Sequence, residues 1–200
     1  LVLDHLNNSF PELDINQTSI QNELYDFFRL RLNNLLQESG IDQDLVMAVT
    51  GLNIPINKIL QDPNDVMERG QLLQEMRFTN DLPLIHSVVT RASRLAHKGE
   101  LQETIVDPTG VVDPELFESS SEFDMLNVLL ELTPIVITDS EINYKQLASG
   151  LIKSCSTLSS FFDGENSVMV MADDEAVRCN RLNLLGVLRN QASVLACFDN

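Results

Sequence analysis

The chain has 200 residues, of which 44% are hydrophobic, and it carries a formal charge of −17 at pH 7. This length can bury a sizeable core, this hydrophobic content excludes a disordered chain, and the apolar runs fall well short of the roughly 20 residues that cross a bilayer. The acidic balance argues against generic nucleic-acid binding, because phosphate contacts need a basic surface, so any RNA contact must come from a local basic patch.

The N-terminal residues and the cysteines carry little chemical information. Residues 1–18 mix Asn and Asp with Pro11, and we predict a linker or the tail of a preceding domain there, with residues 19–200 forming one helical domain. Three cysteines are odd in number and widely spaced: Cys155, Cys179 and Cys197. This pattern is typical of reduced packing thiols in a cytosol-like compartment and argues against a disulfide or a metal site.

Apolar residues at helical spacing predict two helices in the first quarter of the chain. The first covers residues 20–39 and stops at Gly40, and the second covers residues 43–50. The first helix is expected to turn its apolar side chains toward the core: Ile20, Leu24, Phe27, Phe28, Leu32, Leu35 and Leu36.

Two more helices are predicted before the middle of the chain. Asp62 is a capping carboxylate and Pro63 takes the first helical position, so we expect a helix to about Met76. The next helix covers residues 81–98. Residues 100–113 contain several Pro and Gly turns and no periodicity, which indicates an irregular connection.

The second half of the chain predicts three helices. A short one over residues 122–132 is expected to end before Pro134, and the beta-branched residues 135–138 are expected to form a buried extended connection. Longer helices follow over residues 140–162 and 173–197. The predicted fold is therefore all-α, an irregular bundle of six or more helices.

The most specific pattern joins the last two predicted helices. It reads FFDGENSVMVMADDEAVRCNRLNLL from Phe161 to Leu185, and its Val-Met run is predicted to be a buried loop crossing. Acidic residues begin the last helix, where the helix dipole favours negative charge. Arg178 lies one helical turn past Asp174, so these two side chains can form an ion pair.

These residues closely resemble the signature of the anticodon-binding domain of bacterial-type glycyl-tRNA synthetase beta subunits. That domain belongs to the wider DALR helical class, whose namesake tetrapeptide corresponds to Glu175-Ala176-Val177-Arg178. The stretch from Arg31 to Val49 is similar to the opening of the same domain. The resemblance implies a DALR-type helical bundle that binds tRNA.

The resemblance also implies where the chemistry lies. In that family the alpha subunit or alpha region binds ATP and magnesium and forms the adenylate, so this segment is expected to carry no cofactor and no catalytic residue. The implied partners are tRNA(Gly) and the alpha subunit or region, with neither DNA nor a membrane. The implied location is the cytoplasm of a bacterium, or a plastid or mitochondrial matrix for a fused plant-type enzyme.

Positive charge is concentrated in two segments. Arg91, Arg94 and Lys98 are spaced i, i+3 and i+7 on one face of the 81–98 helix, although an ordinary solvated face would show the same spacing. Arg178 and Arg189 lie on the shoulder of the apolar arc of the last helix and are predicted to be exposed. We predict that these five residues contact tRNA phosphates.

Arg181 is predicted to act differently, because it falls inside that apolar arc. The arc consists of Leu184, Leu185, Leu188, Ala192 and Leu195. A guanidinium on a core face needs carboxylate or carbonyl partners to offset its desolvation. Arg181 is therefore expected to be a structural anchor that ties the last helix to the loop before it.

The sequence gives no support for a base-stacking, catalytic or metal-binding site. Phe27, Phe28, Phe161 and Phe162 could stack on bases but stand at core spacing. The chain has no P-loop, no Gly-rich dinucleotide turn, no HExxH and no G-x-S-x-G, and its histidines fit no metal-ligand spacing. The competing function is an acidic helical protein-interaction module that does not bind RNA.

Overall fold

The computed structural model describes residue 9, residues 17–138 and residues 141–198, and this part of the chain is helical and contains no strand. The all-α prediction is confirmed. A 3-10 turn covers Pro114–Leu116. The helices are α1 (Gln17–Glu38), α2 (Gln43–Thr50), α3 (Ile56–Gln61), α4 (Pro63–Phe78), α5 (Leu82–Ala96), α6 (Ser120–Val136), α7 (Tyr144–Ser160) and α8 (Glu175–Ser193).

Several boundaries follow from local capping. Asp62 accepts hydrogen bonds from the backbone at the start of α4, as predicted, and Asp174 does the same for α8. Helix α7 is capped by Asn143. Residue 140, the predicted start of this helix, and nearly all of the predicted linker at residues 1–18 lie outside the described residues. Among the helices described, none combines the length and apolar character that a membrane crossing needs.

Helix α6 continues through Pro134, so the prediction that it ends before this proline is wrong. Residues 135 and 136 are helical and Ile137 is 51% exposed, so the predicted buried connection at 135–138 is also wrong. The proline removes one N–H from the helix, but packing against α7 and α8 outweighs that local cost. The packed face comprises Met125, Val128, Leu129, Leu132 and Val136.

Helix α8 lies at the centre of the bundle, where it packs mainly against α5 and α6. Its predicted apolar arc is fully buried, which confirms that interpretation. Gly186 lets the chain at Leu101 approach closely, since a Cβ at this glycine would lie 2.8 Å from Leu101 Cδ2. Helix α8 is therefore enclosed on several sides and not only along its apolar arc.

Helix α1 is less completely packed than predicted. Leu32 and Leu36 are buried against the α2–α4 region, but other apolar residues of the helix remain exposed: Leu24, Phe27, Phe28 and Leu35. The predicted core position of these four residues is wrong, because α1 packs through the side that carries Arg29, Leu32 and Leu36. Phe161 is fully buried and Phe162 is partly buried, as predicted.

Candidate nucleic-acid interface

Helix α5 separates an apolar inner face from a basic outer face. Its inner residues are buried against the core: Leu82, Ile85, Val88, Val89, Ala92 and Ala96. Arg91 and Arg94 project from the other side, and Lys98 follows just beyond the end of the helix. All three are exposed, and we call them the α5 basic face. The amphipathic pattern of the helix therefore fixes which side these cations take.

Arg91 is exposed but already has partners. Its Nη1 donates to Asp163 Oδ2 at 2.6 Å, and its guanidinium carbon lies 4.7 Å from the centroid of the Phe162 ring. The ion pair is open to solvent, with side-chain exposures of 48% and 66%, so it contributes little stability. A phosphate could displace the carboxylate at low energetic cost.

Arg94 and Lys98 are the least constrained cations of this face. Among the described residues, neither side chain has a hydrogen-bond or ion-pair partner, and both are exposed. Their charges are therefore hydrated and available to an anion. This arrangement matches a site that neutralises backbone phosphates without reading bases.

Arg178 does not stand free as predicted. Its Nη1 donates to the carbonyl oxygens of Ala172 at 2.8 Å and Asp173 at 3.3 Å, so it braces the loop before α8. Asp174 instead caps the helix, accepting from two backbone N–H groups. Three exposed acidic residues lie three to five positions before this arginine, Asp173, Asp174 and Glu175, and their negative charge disfavours a phosphate in this part of the surface.

Arg189 is buried, so the prediction that it is exposed is wrong. Only 9% of it is accessible, its Nε donates to Asn190 Oδ1 at 2.9 Å, and its Nη2 donates to the Leu101 carbonyl at 3.2 Å. The helical wheel placed it on a shoulder, but the 100–113 connection covers that shoulder. No nucleic acid can reach this guanidinium without opening the fold.

Arg181 lies on the core side of α8 and bridges three segments. Its Nε donates to Glu122 Oε1 at 2.8 Å, its Nη2 to Glu118 Oε2 at 2.7 Å, and its Nη1 to the Met169 carbonyl at 3.1 Å. Burial by itself lowers the pKa of Arg181, but the two carboxylates more than offset this and raise it above its ordinary value. The geometry is that of an anchor between α8, the α6 N-terminus and the preceding loop.

The loop held by Arg181 is only partly buried. Val170 is in the core, whereas Met169 is 76% exposed and Met171 is 45% exposed. The prediction of a buried crossing is therefore right for one residue and wrong for the two methionines. The cause is that the backbone carbonyls, rather than the methionine side chains, tie this loop to the bundle.

Polar residues of α8 form a second set of contacts that sequence reasoning missed. Asn190 Nδ2 donates to the carbonyls of Gln102 and Ile105 at 2.8 and 2.7 Å, and Gln191 Nε2 donates to the carbonyl of Val106 at 2.8 Å. Buried backbone groups in an irregular connection need such partners. The sequence offered one signal for these contacts: adjacent amide residues, Asn190 and Gln191, near the end of the last helix, in a chain whose 100–113 connection has no periodicity.

A groove of about 930 Å³ adjoins the start of α5 but offers no free cation. Arg77 lies in its lining and pairs with Asp42 and Asp44. Hydrogen bonds from this guanidinium hold the pKa of both carboxyl groups below the usual range. Across the described residues, no group of three or more His, Cys, Asp or Glu side chains is placed to hold a metal ion.

Comparison with known proteins gives a consistent result. Residues 85–196, more than half of the chain, match the model of the DALR anticodon binding domain. The chain is similar to a glycine–tRNA ligase beta subunit from Picosynechococcus sp., with 46% identity over 91% of this chain and 26% of the relative.

Two further relatives give the same result. The corresponding subunit of Gloeothece citriformis is 45% identical over 98% of this chain and 28% of the relative. That of Limosilactobacillus fermentum is 31% identical over 94% and 25%. The chain spans about a quarter of the length of the curated relatives it matches.

Proposed function

The chain belongs to the DALR anticodon-binding domain family, and on this premise we propose that it is the tRNA-binding part of a glycine–tRNA ligase. Its role is to hold tRNA(Gly) in register while the alpha subunit or alpha region of the ligase attaches glycine. The observation that carries the proposal is the α5 basic face, which lies within the matched region of an acidic chain. Two of its cations, Arg94 and Lys98, have no ion-pair partner among the described residues.

The α5 basic face would act through phosphate contacts. Arg94 and Lys98 meet the tRNA backbone directly, and Arg91 joins them by exchanging its pair with Asp163 for a phosphate. Arg178 and Arg189 are left out of this surface because their guanidinium groups serve the fold. Phosphate contacts position the RNA and supply affinity without selecting a sequence.

The acidic remainder of the chain limits binding to this face. With a net charge of −17, most of the surface repels RNA, so contacts outside the basic face would weaken an off-register complex. The chain would then hold tRNA in one defined orientation even with a modest total affinity for RNA. We place ATP and magnesium on the alpha subunit or region, and the protein in a bacterial cytoplasm or a plastid or mitochondrial matrix.

The test is charge reversal at Arg94 and Lys98 in this chain. Binding of tRNA(Gly) is measured as a function of salt for wild type and for R94E/K98E. Losing two phosphate contacts is expected to lower the slope of log affinity against log salt by roughly 1.4 to 1.8. In the complete ligase, the same change should raise the KM for tRNA and leave adenylate formation unaffected.

The control is R31E, which reverses one exposed arginine on α1, away from α5, and changes the net charge by half as much as the double variant does. It makes the chain more acidic without touching the α5 basic face, so its salt slope should stay at the wild-type value. The proposal fails if R94E/K98E and R31E shift the slope equally. It also fails if adenylate formation in the ligase falls as much as tRNA charging does.

A further inference from the structure

Helix α1 carries an apolar stripe that the described bundle leaves uncovered. Leu24, Phe27, Phe28 and Leu35 are 45%, 53%, 46% and 50% exposed, and we call these four residues the α1 stripe. At about 100° per residue they fall within one arc of roughly 100°. Phe27 and Phe28 contact each other edge to face at 5.7 Å, so they form one continuous apolar surface.

The other side of α1 already has its partners. Leu32 and Leu36 enter the core, and Arg29 donates to the carbonyls of Thr50, the last residue of α2, and of Gly51 and Ile54 beyond it. These contacts fix the rotation of the helix, so the stripe cannot turn inward. The stripe is therefore exposed because of the way in which α1 is held by the rest of the fold.

The N-terminal half of α1 has no fully buried side chain among its described residues. From residue 18 to residue 28 every side chain is exposed or half-buried, and the first buried residue of the helix is Leu32. A helical segment of this length is marginal in water without an apolar face packed against something. The stripe therefore needs a cover for the first half of α1 to be stable.

The charges of α1 favour protein over RNA as that cover. The helix carries Glu23, Asp26 and Glu38 against Arg29 and Arg31, and Arg29 is already engaged. An aromatic surface that binds single-stranded RNA combines stacking residues with a positive groove, which α1 does not provide. An apolar protein surface needs no such charge.

We propose that the α1 stripe is a docking surface for the ligase polypeptide outside this chain. The glycine–tRNA ligase beta subunits that it resembles are about four times as long as the matched region, so ample polypeptide exists to cover it. This docking fixes the orientation of the domain relative to the rest of the ligase. The proposal rests on the family assignment and does not depend on the α5 basic face.

Hydrogen exchange measured by mass spectrometry tests the proposal without RNA. The amides of residues 20–28 are compared between this 200-residue chain and the full-length ligase polypeptide, with the buried α8 amides as an internal reference. Exchange in α1 should slow at least tenfold in the longer protein, while α8 exchanges equally in both. Equal α1 exchange in the two proteins overturns the proposal.

Two other occupants give distinct outcomes, and each would also overturn it. Protection of α1 that grows with the concentration of the 200-residue chain identifies a second copy as the cover. Protection that appears only when tRNA is added identifies RNA. Since no RNA is present in the main comparison, failure of the tRNA-binding proposal leaves this test intact.

A pair of variants completes the test. L24S/F28S removes the centre of the stripe, and L30S removes an equally exposed leucine, 58% accessible, that lies outside the arc. In the full-length polypeptide, L24S/F28S should restore fast α1 exchange and L30S should not. If L24S/F28S retains the protection, the stripe is not the docking surface. Thermal unfolding of both variants in the 200-residue chain checks that each one still folds, and their midpoints should be comparable.

Discussion

Arg181 of α8 and Glu122 of α6 form a buried ion pair, with Arg181 Nε 2.8 Å from Glu122 Oε1 and side-chain exposures of 5% and 0%. Glu122 also completes a capping box, because its Oε2 accepts from the backbone N–H groups of Glu118 and Ser119 at 2.8 Å. One carboxylate therefore stabilises the start of α6 and holds α8 against it.

Removing Arg181 should destabilise the fold sharply. R181M leaves the Glu122 carboxylate buried and without its counter-charge, which costs about 3 to 5 kcal/mol of unfolding free energy. Chemical denaturation followed by circular dichroism measures the change. R94M, an arginine loss at an exposed site, should change stability by no more than about 0.5 kcal/mol.

The double variant E122Q/R181M separates the ion pair from simple loss of packing. Glutamine removes the buried charge and keeps the capping geometry, so part of the lost stability should return. Equal stability of R181M and E122Q/R181M would contradict the role given to the buried charge.

Asn190 should contribute as much to the free energy of unfolding as an apolar core residue does. It is 1% exposed and donates to the carbonyls of Gln102 and Ile105. N190A removes both hydrogen bonds, which leaves the Ile105 carbonyl without this donor and the Gln102 carbonyl with only the backbone N–H of Ile105. The expected loss is about 2 to 3 kcal/mol, measured by urea unfolding. N34A, the same change at an exposed position of α1, is the control and should be nearly neutral. A small effect of N190A would show that water replaces the amide.

Asp163 is expected to restrain RNA binding by holding Arg91. D163N should free that guanidinium and raise affinity for tRNA by up to about fivefold, since an exposed ion pair is worth about 0 to 1 kcal/mol. The salt dependence should steepen at the same time. D124N removes the same charge from an exposed site on α6 and controls for net charge. Equal gains in the two variants would argue against a specific release.

The cluster of Arg77, Asp42 and Asp44 should make part of the stability pH-dependent. Hydrogen bonds from Arg77 lower the pKa of both carboxyl groups in the folded state. Their contribution is therefore fully present above the ordinary pKa of about 4 and is lost as the pH falls through the lowered values. The thermal midpoints of wild type and R77M should differ at about pH 6 and converge toward about pH 2.5.

An acid-titration control keeps this test specific. R31M removes an arginine that has no ion-pair partner among the described residues, so its difference from wild type should not change with pH. A gap between wild type and R77M that stays constant down to about pH 2.5 would show that the two carboxylates contribute nothing through their ionisation.

Sequence periodicity predicted most helices because each helix needs one apolar side. The arc of α8 and the capped start of α4 are local features, and both are found as expected. The short helix α3 was missed, since its apolar residues are too few to show a period. The end predicted before Pro134 was wrong because packing against α7 and α8 outweighs the local preference of proline.

The candidate site divides in the same way. Arg94 and Lys98 follow from the amphipathic pattern of one helix, so their exposure could be predicted from sequence alone. The burial of Arg189 could not be predicted from sequence, because a residue beside the apolar arc of a helix is exposed or buried according to which segment packs next to it. The 100–113 connection covers that shoulder, and its lack of periodicity gave no sign of its path.

The sequence by itself determined the helical character of the chain, the inner faces of its helices and its resemblance to anticodon-binding domains. Those properties depend on residues a few positions apart, whose relative directions the helix geometry fixes. Only the tertiary structure decided which cations stay free, that Arg178 braces a loop, and that α1 leaves an apolar stripe open. Those outcomes depend on contacts between residues far apart in the chain, because burial of a side chain is a property of its neighbours in space.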